Sequence, residues 1–199
     1  LSSPMILMRS GIGDPKELTK FGIKTINKLE GVGKNLQDHI AISTQFESLK
    51  PVTLHRSASK LRMGLSGLQY LLLKKGDAAN PPCGAGAFLK SNPDKDIPDL
   101  QVFYVSVALN DTHGRKGVPQ DHRFSAALYT LRPQSRGHLE LKSADPSEAP
   151  LMYPNYLSEE QDVIDTRNAF RESRRVFLQP AFDEYRGAQS KPDPDLNVD

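Results

Sequence analysis

The sequence predicts an α+β fold, a mainly antiparallel sheet backed by helices, and three observations carry that prediction. Strand-like runs, Leu100–Leu109 the strongest of them, are joined by turn residues rather than by helical crossovers. Two longer segments, Lys60–Lys74 and a stretch opened by Ser158, repeat apolar residues at helical spacing. A glycine-punctuated region, Ser3–His39, precedes them and organises the chain around short helices and a polar loop.

In order, Ser3 is the expected cap of a first apolar helix, with Pro4 in its first turn and Ser10-Gly11-Ile12-Gly13 ending it. Asp14 caps a second helix, with Pro15 at its first position, Glu17 three residues after the cap, and a stop at Gly22. Gly31-Val32-Gly33-Lys34-Asn35-Leu36-Gln37-Asp38-His39 is too polar and glycine-rich for a buried element and reads as a loop. Ile40–Glu47 reads as a half-buried strand. Leu61, Leu65, Leu68, Leu71 and Leu72 form a helical stripe that also fits a partner or membrane helix. The helix's length and its Lys74-Lys75-Gly76 ending favour packing on the chain's own sheet.

Residues 80–85 read as irregular, Gly86–Lys90 as a short strand, and 110–122 as a polar loop. His122–Leu131 and Gly137–Lys142 read as strands with a turn at Arg136-Gly137, and Pro150–Tyr156 as an edge strand. Ser158 with Gln161 opens a long helix whose expected buried stripe is Val163, Phe170 and Phe177. Acidic residues in its first turn and Arg174 and Arg175 near its end suit the helix dipole, and Gln179-Pro180 stops it. From Gly187 the tail is polar and proline-broken.

A chain of 199 residues suffices for one well-buried domain, but 37% hydrophobic content without Trp is lean for an independent globule. It suits a piece that buries one face against a neighbour. Twenty-six basic and 24 acidic residues are interspersed, with no basic patch interleaved with aromatics, which argues against nucleic acid as a partner. The single cysteine, Cys83, excludes an internal disulfide and only slightly favours a reducing cytosol. No apolar run approaches a membrane span, and peripheral membrane association stays open.

The run Ser3-Pro4, Ile6-Leu7, Ser10-Gly11-Ile12-Gly13, followed by the Asp14-Pro15 helix and then GVG-x-NLQDH, resembles the glucose–methanol–choline oxidoreductases. These are FAD-dependent enzymes that oxidise alcohols. The resemblance continues through Arg132-Pro133-Gln134-Ser135-Arg136-Gly137, Ser143-Ala144-Asp145-Pro146 and Pro154-Asn155-Tyr156-Leu157. It implies that residues 1–40 trail from an FAD-binding domain and end in a lid-like loop. Residues 41–187 would form the substrate-binding domain, and 188–199 a linker. Neither the family's FAD-binding G-x-G-x-x-G nor its late His-Pro-x-Gly-Thr segment with the catalytic His occurs here. The chain is therefore expected to be an internal piece of a longer enzyme, inactive and flavin-free alone, with the missing FAD domain as its partner; a homodimer stays open.

By the same resemblance, Asn35, Leu36, Gln37 and Asp38 are lid contacts to the flavin, while His39, Ala41, Phe88, Phe103 and Val105 line the substrate pocket. Equally, Asn35, Gln37 and Asp38 can do no more than fix their own loop. Choline-oxidising relatives carry a Glu shortly after the NLQDH histidine and a His in the strand matching Leu100–Leu109. A quaternary ammonium needs such a carboxylate or an aromatic box, because leaving it desolvated and unpaired is costly. Here Ala41 follows His39 by two residues and Phe103 is the nearest match to the His, so the expected substrate is an uncharged aliphatic alcohol rather than choline. A stand-alone binding module is the rival of another class. Asp111, His113, Asp121 and His122 offer ligand types at no compact zinc spacing, and no metal is expected. Ser66 and Ser106 lack the G-x-S-x-G context of a nucleophile, and no basic neighbour activates Cys83.

Overall fold

A computed structural model describes residues 1–57, 59–79, 83–108 and 121–193. Its elements in chain order are α1 (Ser2–Arg9), β1 (Ile12–Gly13), α2 (Pro15–Thr19), β2 (Asn27–Lys28), β3 (Ile40–Ser48), α3 (Lys60–Leu73), β4 (Cys83–Leu89), β5 (Leu100–Val105), β6 (Arg123–Thr130), β7 (His138–Glu140), β8 (Leu151–Tyr153), α4 (Glu160–Phe177) and β9 (Arg186–Lys191). They fall into two compact units, Leu1–His39 with Arg132–Val163, and Ile40–Leu131 with Ile164–Asp199.

In the first unit, Met5 and Met8 of α1, Leu18 of α2 and Leu139 and Leu141 near β7 form a small core. The helix α1 begins one residue before the expected Ser3 cap, with Leu1 at the cap position making no side-chain bond. Asp14 does cap α2, accepting from the Lys16 N–H at 2.9 Å, and Gly22 takes the left-handed conformation at φ +68°. The short strand β7 pairs with β8 in a two-stranded sheet of its own, so the expected hairpin partnership with β6 does not form.

The second unit is built on a five-stranded sheet in the order β4-β5-β6-β3-β9, antiparallel at every pairing. One face carries Phe46, Leu100, Val102, Ala126 and Leu128, all buried against Ala169 and Phe177 of α4. The Phe177 ring meets Phe46, Tyr104 and Phe124 edge-on at centroid distances of 5.4, 5.6 and 5.2 Å. Two polar ties reinforce that layer. The Thr44 and Ser173 hydroxyls lie 2.6 Å apart, and Lys95 Nζ bridges Asp99 and Asp165 at 2.6 and 2.7 Å while the Ser91 hydroxyl shares its one proton between the two carboxylates at 2.7 and 2.9 Å. Burial pushes the Asp99 carboxyl up, but Lys95 and Ser91 outweigh it and hold the group below its ordinary range.

Three sequence expectations change here. The α4 stripe keeps Phe170 and Phe177, but Val163 is 41% exposed; Asp165 and Ser173 join the buried face because each has a polar tie there. Residues 188–191, read as the start of a linker, are the last four residues of β9, an edge strand paired with β3. The helix α3 forms where expected and does not pack on the sheet: no residue of it is buried.

Candidate functional site

The loop after β2 belongs to the first unit, and its polar run is spent on its own architecture. Gly33 sits at φ +79°, and a Cβ there would stand 2.6 Å from the Leu139 carbonyl oxygen, so only glycine fits. The Leu139 N–H donates to the Gly33 carbonyl, and Leu36 and Gly137 exchange backbone bonds of 2.9 and 2.8 Å. Gln37 Nε2 donates to the Pro133 carbonyl at 2.7 Å. The two Asp38 carboxylate oxygens accept from the His39 N–H at 2.9 Å and from the Tyr156 hydroxyl at 2.5 Å. That hydroxyl is pushed above its ordinary pKa, first by the Asp38 hydrogen bond and then by burial. Asn35 is exposed at φ +59°, a conformation asparagine tolerates, and His39 is exposed as well.

The Arg132–Gly137 segment is fixed with equal care. Buried Asp162 accepts from the Gln134 and Ser135 N–H groups at 2.7 and 2.8 Å and from the Ser135 hydroxyl. The Ser135 oxygen in turn receives the N–H groups of Ser158 and Glu159 at the approach to α4. Burial raises the Asp162 pKa, and the Ser135 hydroxyl with the two N–H groups lowers it further than burial raises it. Arg136 Nη1 closes the turn by donating to the carbonyls of Pro133, Gln134 and Ser135.

In the second unit, the strand register sorts the expected pocket residues. Ala41 stands opposite Tyr129, Tyr129 opposite Gln101, and Gln101 opposite Phe88. The next row of the same face is Ser43, Ala127, Phe103 and Gly86. Ala41, Phe88, Phe103 and Val105 therefore share the face opposite the Phe177 core. Phe88 is 61% exposed and Ala41 exposed, and the Phe103 ring meets Tyr129 edge-on at 6.0 Å. Val105 sits in a third row with Gln45 and Ser125 and is 6% exposed, so it closes the end of this face rather than lining an opening. The first two rows carry no charged side chain.

Tyr129 and Gln101 were not among the expected wall residues. The run Ser125-Ala126-Ala127-Leu128 is small or apolar at every position, which hides its parity. Pairing β6 with β5 residue by residue would have found them. Among the described residues no group of three His, Cys, Asp or Glu side chains is arranged to hold a metal. Asp111 and His113 lie outside the described residues; His122 bonds Thr53 at 2.7 Å and Asp121 pairs with Arg123. Cys83 is exposed on β4.

The family model described as GMC oxidoreductase matches residues 133–198. Relatives similar over the entire chain include the oxygen-dependent choline dehydrogenase 1 of Chromohalobacter salexigens at 36% identity and the oxygen-dependent choline dehydrogenases of Brucella ovis at 37% and Pseudomonas savastanoi at 38%. The chain spans about a third of their length, 35–36%. Among solved structures, formate oxidase superposes with a TM-score of 0.84 at 20% identity, covering 96% of this chain and 38% of that one. A pyridoxine 4-oxidase from Mesorbium loti reaches 0.77 at 20% identity, covering 100% and 35%, and a fungal aryl-alcohol oxidase 0.70 at 18%, covering 98% and 39%. The fold is thus the one these oxidases use for the corresponding region. Sequence similarity to the choline dehydrogenases runs along the whole chain, and its residues 133–198 match the model of the GMC oxidoreductase family.

Proposed function

We propose that these residues are the substrate side of an FAD-dependent oxidoreductase acting on the CH–OH group of an uncharged alcohol. FAD, when bound, supplies the hydride acceptor. The loop does not fit a diphosphate cradle, because Gln37 and Asp38 are engaged within their own unit; exposed Asn35 and His39 suit a lid over the flavin ring. The cofactor and the proton acceptor then belong to further polypeptide, and this chain alone neither holds flavin nor turns over substrate.

What this chain contributes is a wall. Ala41, Phe88, Phe103 and Tyr129 offer an alkyl group an apolar surface that excludes water, with the Gln101 amide as a neutral polar point. The observation that carries the reading is the uncharged character of those two sheet rows. A trimethylammonium head desolvated there would meet no carboxylate. The second reading, choline as substrate, has the names of the relatives in its favour. Steady-state kinetics on the whole gene product decide between them. Medium-chain 1-alkanols should be preferred in kcat/KM, and a clear preference for choline overturns the proposal. Titration of the isolated chain with FAD, followed by flavin fluorescence, should show no binding; a yellow, flavin-retaining chain contradicts the assignment of the cofactor to other polypeptide.

A further inference from the structure

We propose that α3 is a docking element for an anionic lipid surface. The helix is inverted relative to an ordinary amphipathic helix: it is tied down by its polar side and shows its leucines to water. Arg62 Nη1 donates to the Arg56 carbonyl at 2.9 Å, and Arg62, Ser66 and Gln69, with Leu65 at their edge, line a shallow cleft with Arg56 and Asp77. Arg56 and Asp77 close that cleft with a two-point ion pair at 3.0 and 2.5 Å. The opposite side carries Leu61, Leu68, Leu71 and Leu72 within an arc of roughly 100°, and these four are 52–75% exposed. A continuous apolar stripe of this kind on a helix surface marks an interaction site.

Charge selects the occupant. No acidic residue lies between Lys50 and Asp77, whereas Lys60 and Arg62 stand at the start of the helix and Lys74 and Lys75 at its end. Lys74 lies over the Tyr70 ring at 4.9 Å, an aromatic and a cation placed side by side as at a headgroup boundary. Both ends are positive, so self-pairing in either direction sets like charges against each other, and a negatively charged surface is the complementary one. With 14 residues the helix reaches about 21 Å, short of the roughly 30 Å hydrocarbon core, and among the described residues none is long and apolar enough to cross a membrane. It therefore lies in the interface, leucines down and lysines at the edge.

The test is co-sedimentation of the chain with vesicles of phosphatidylcholine alone and of phosphatidylcholine mixed with phosphatidylglycerol. Binding should be about tenfold tighter on the anionic vesicles, weaken at high salt, and be lost in Leu68→Glu/Leu72→Glu. Lys74→Gln/Lys75→Gln, which leaves the stripe intact, should remove the anionic preference while circular dichroism stays unchanged. In cells, the natural gene product should fractionate with membranes and leave them when Leu68 and Leu72 are replaced by Glu. Equal binding to both vesicle types, variants that bind like the parent, a soluble natural gene product, or a dimer in sedimentation velocity that the Leu68 and Leu72 replacements dissolve would each overturn the proposal.

Discussion

Asp162 shows what single residues do in this chain. Its carboxylate, 1% exposed, satisfies two backbone N–H groups and one hydroxyl in the Arg132–Gly137 segment. Replacing it with Ala leaves buried donors without an acceptor, and we expect a loss of about 3 kcal/mol in urea unfolding. Asp162 and Asp99 both have folded pKa values below their ordinary one. Their contribution is therefore complete above the unfolded carboxylate value of about 3.9 and is lost as pH falls from there through the lowered folded values. Urea midpoints measured down that range should drop more steeply in the parent than in Asp162→Asn, and parallel profiles would contradict the assignment. Gly137 makes the same point sterically: a Cβ there would stand 2.0 Å from the Tyr153 carbonyl oxygen. Gly137→Ala should cost about 2 kcal/mol, read as a shift of the urea midpoint.

At the level of elements, contrast between two apolar segments is the clearest check on the packing. Leu128 in β6 is fully buried, and truncating it to Ala should cost about 3 kcal/mol; Leu68→Glu in α3 should cost less than about 0.5 kcal/mol, because that side chain is 52% exposed. Thermal unfolding of the two variants reads both. This contrast also locates what the sequence leaves illegible. Helical spacing marks which residues of Lys60–Leu73 share a face, and the helix forms over those residues. Spacing carries no information about what the face meets, and here Arg62 on the polar side bonds the turn that precedes the helix. For β7 a local turn signal suggests pairing with the preceding strand, while its partner, β8, comes later in the chain. The strand β9 escapes notice because Arg186–Lys191 is polar and earns its place through pairing at a sheet edge rather than through burial.

At the scale of the molecule, the resemblance read from two glycine-rich runs pointed to the family whose model matches residues 133–198, and local capping and alternation placed most elements. Gly33 is explained by close backbone approach, and Gln37 and Asp38 of the NLQDH run by the turns they hold. Of the residues proposed for the wall, Ala41, Phe88, Phe103 and Val105 could be named from the sequence, whereas Tyr129 and Gln101 of the same face needed the register to be found. That register also turns the substrate proposal into an engineering prediction. Ala41 is the wall position that lacks a carboxylate, so Ala41→Glu in the whole gene product should raise kcat/KM for choline about tenfold and depress it for alkanols. No gain on choline would mean that the position does not face substrate.

The most direct measurement is the ratio of kcat/KM for 1-octanol to that for choline in the whole gene product, taken under one set of conditions. An uncharged wall predicts a ratio well above one; a ratio well below one would mean that the cation finds a counter-charge those two sheet rows do not provide.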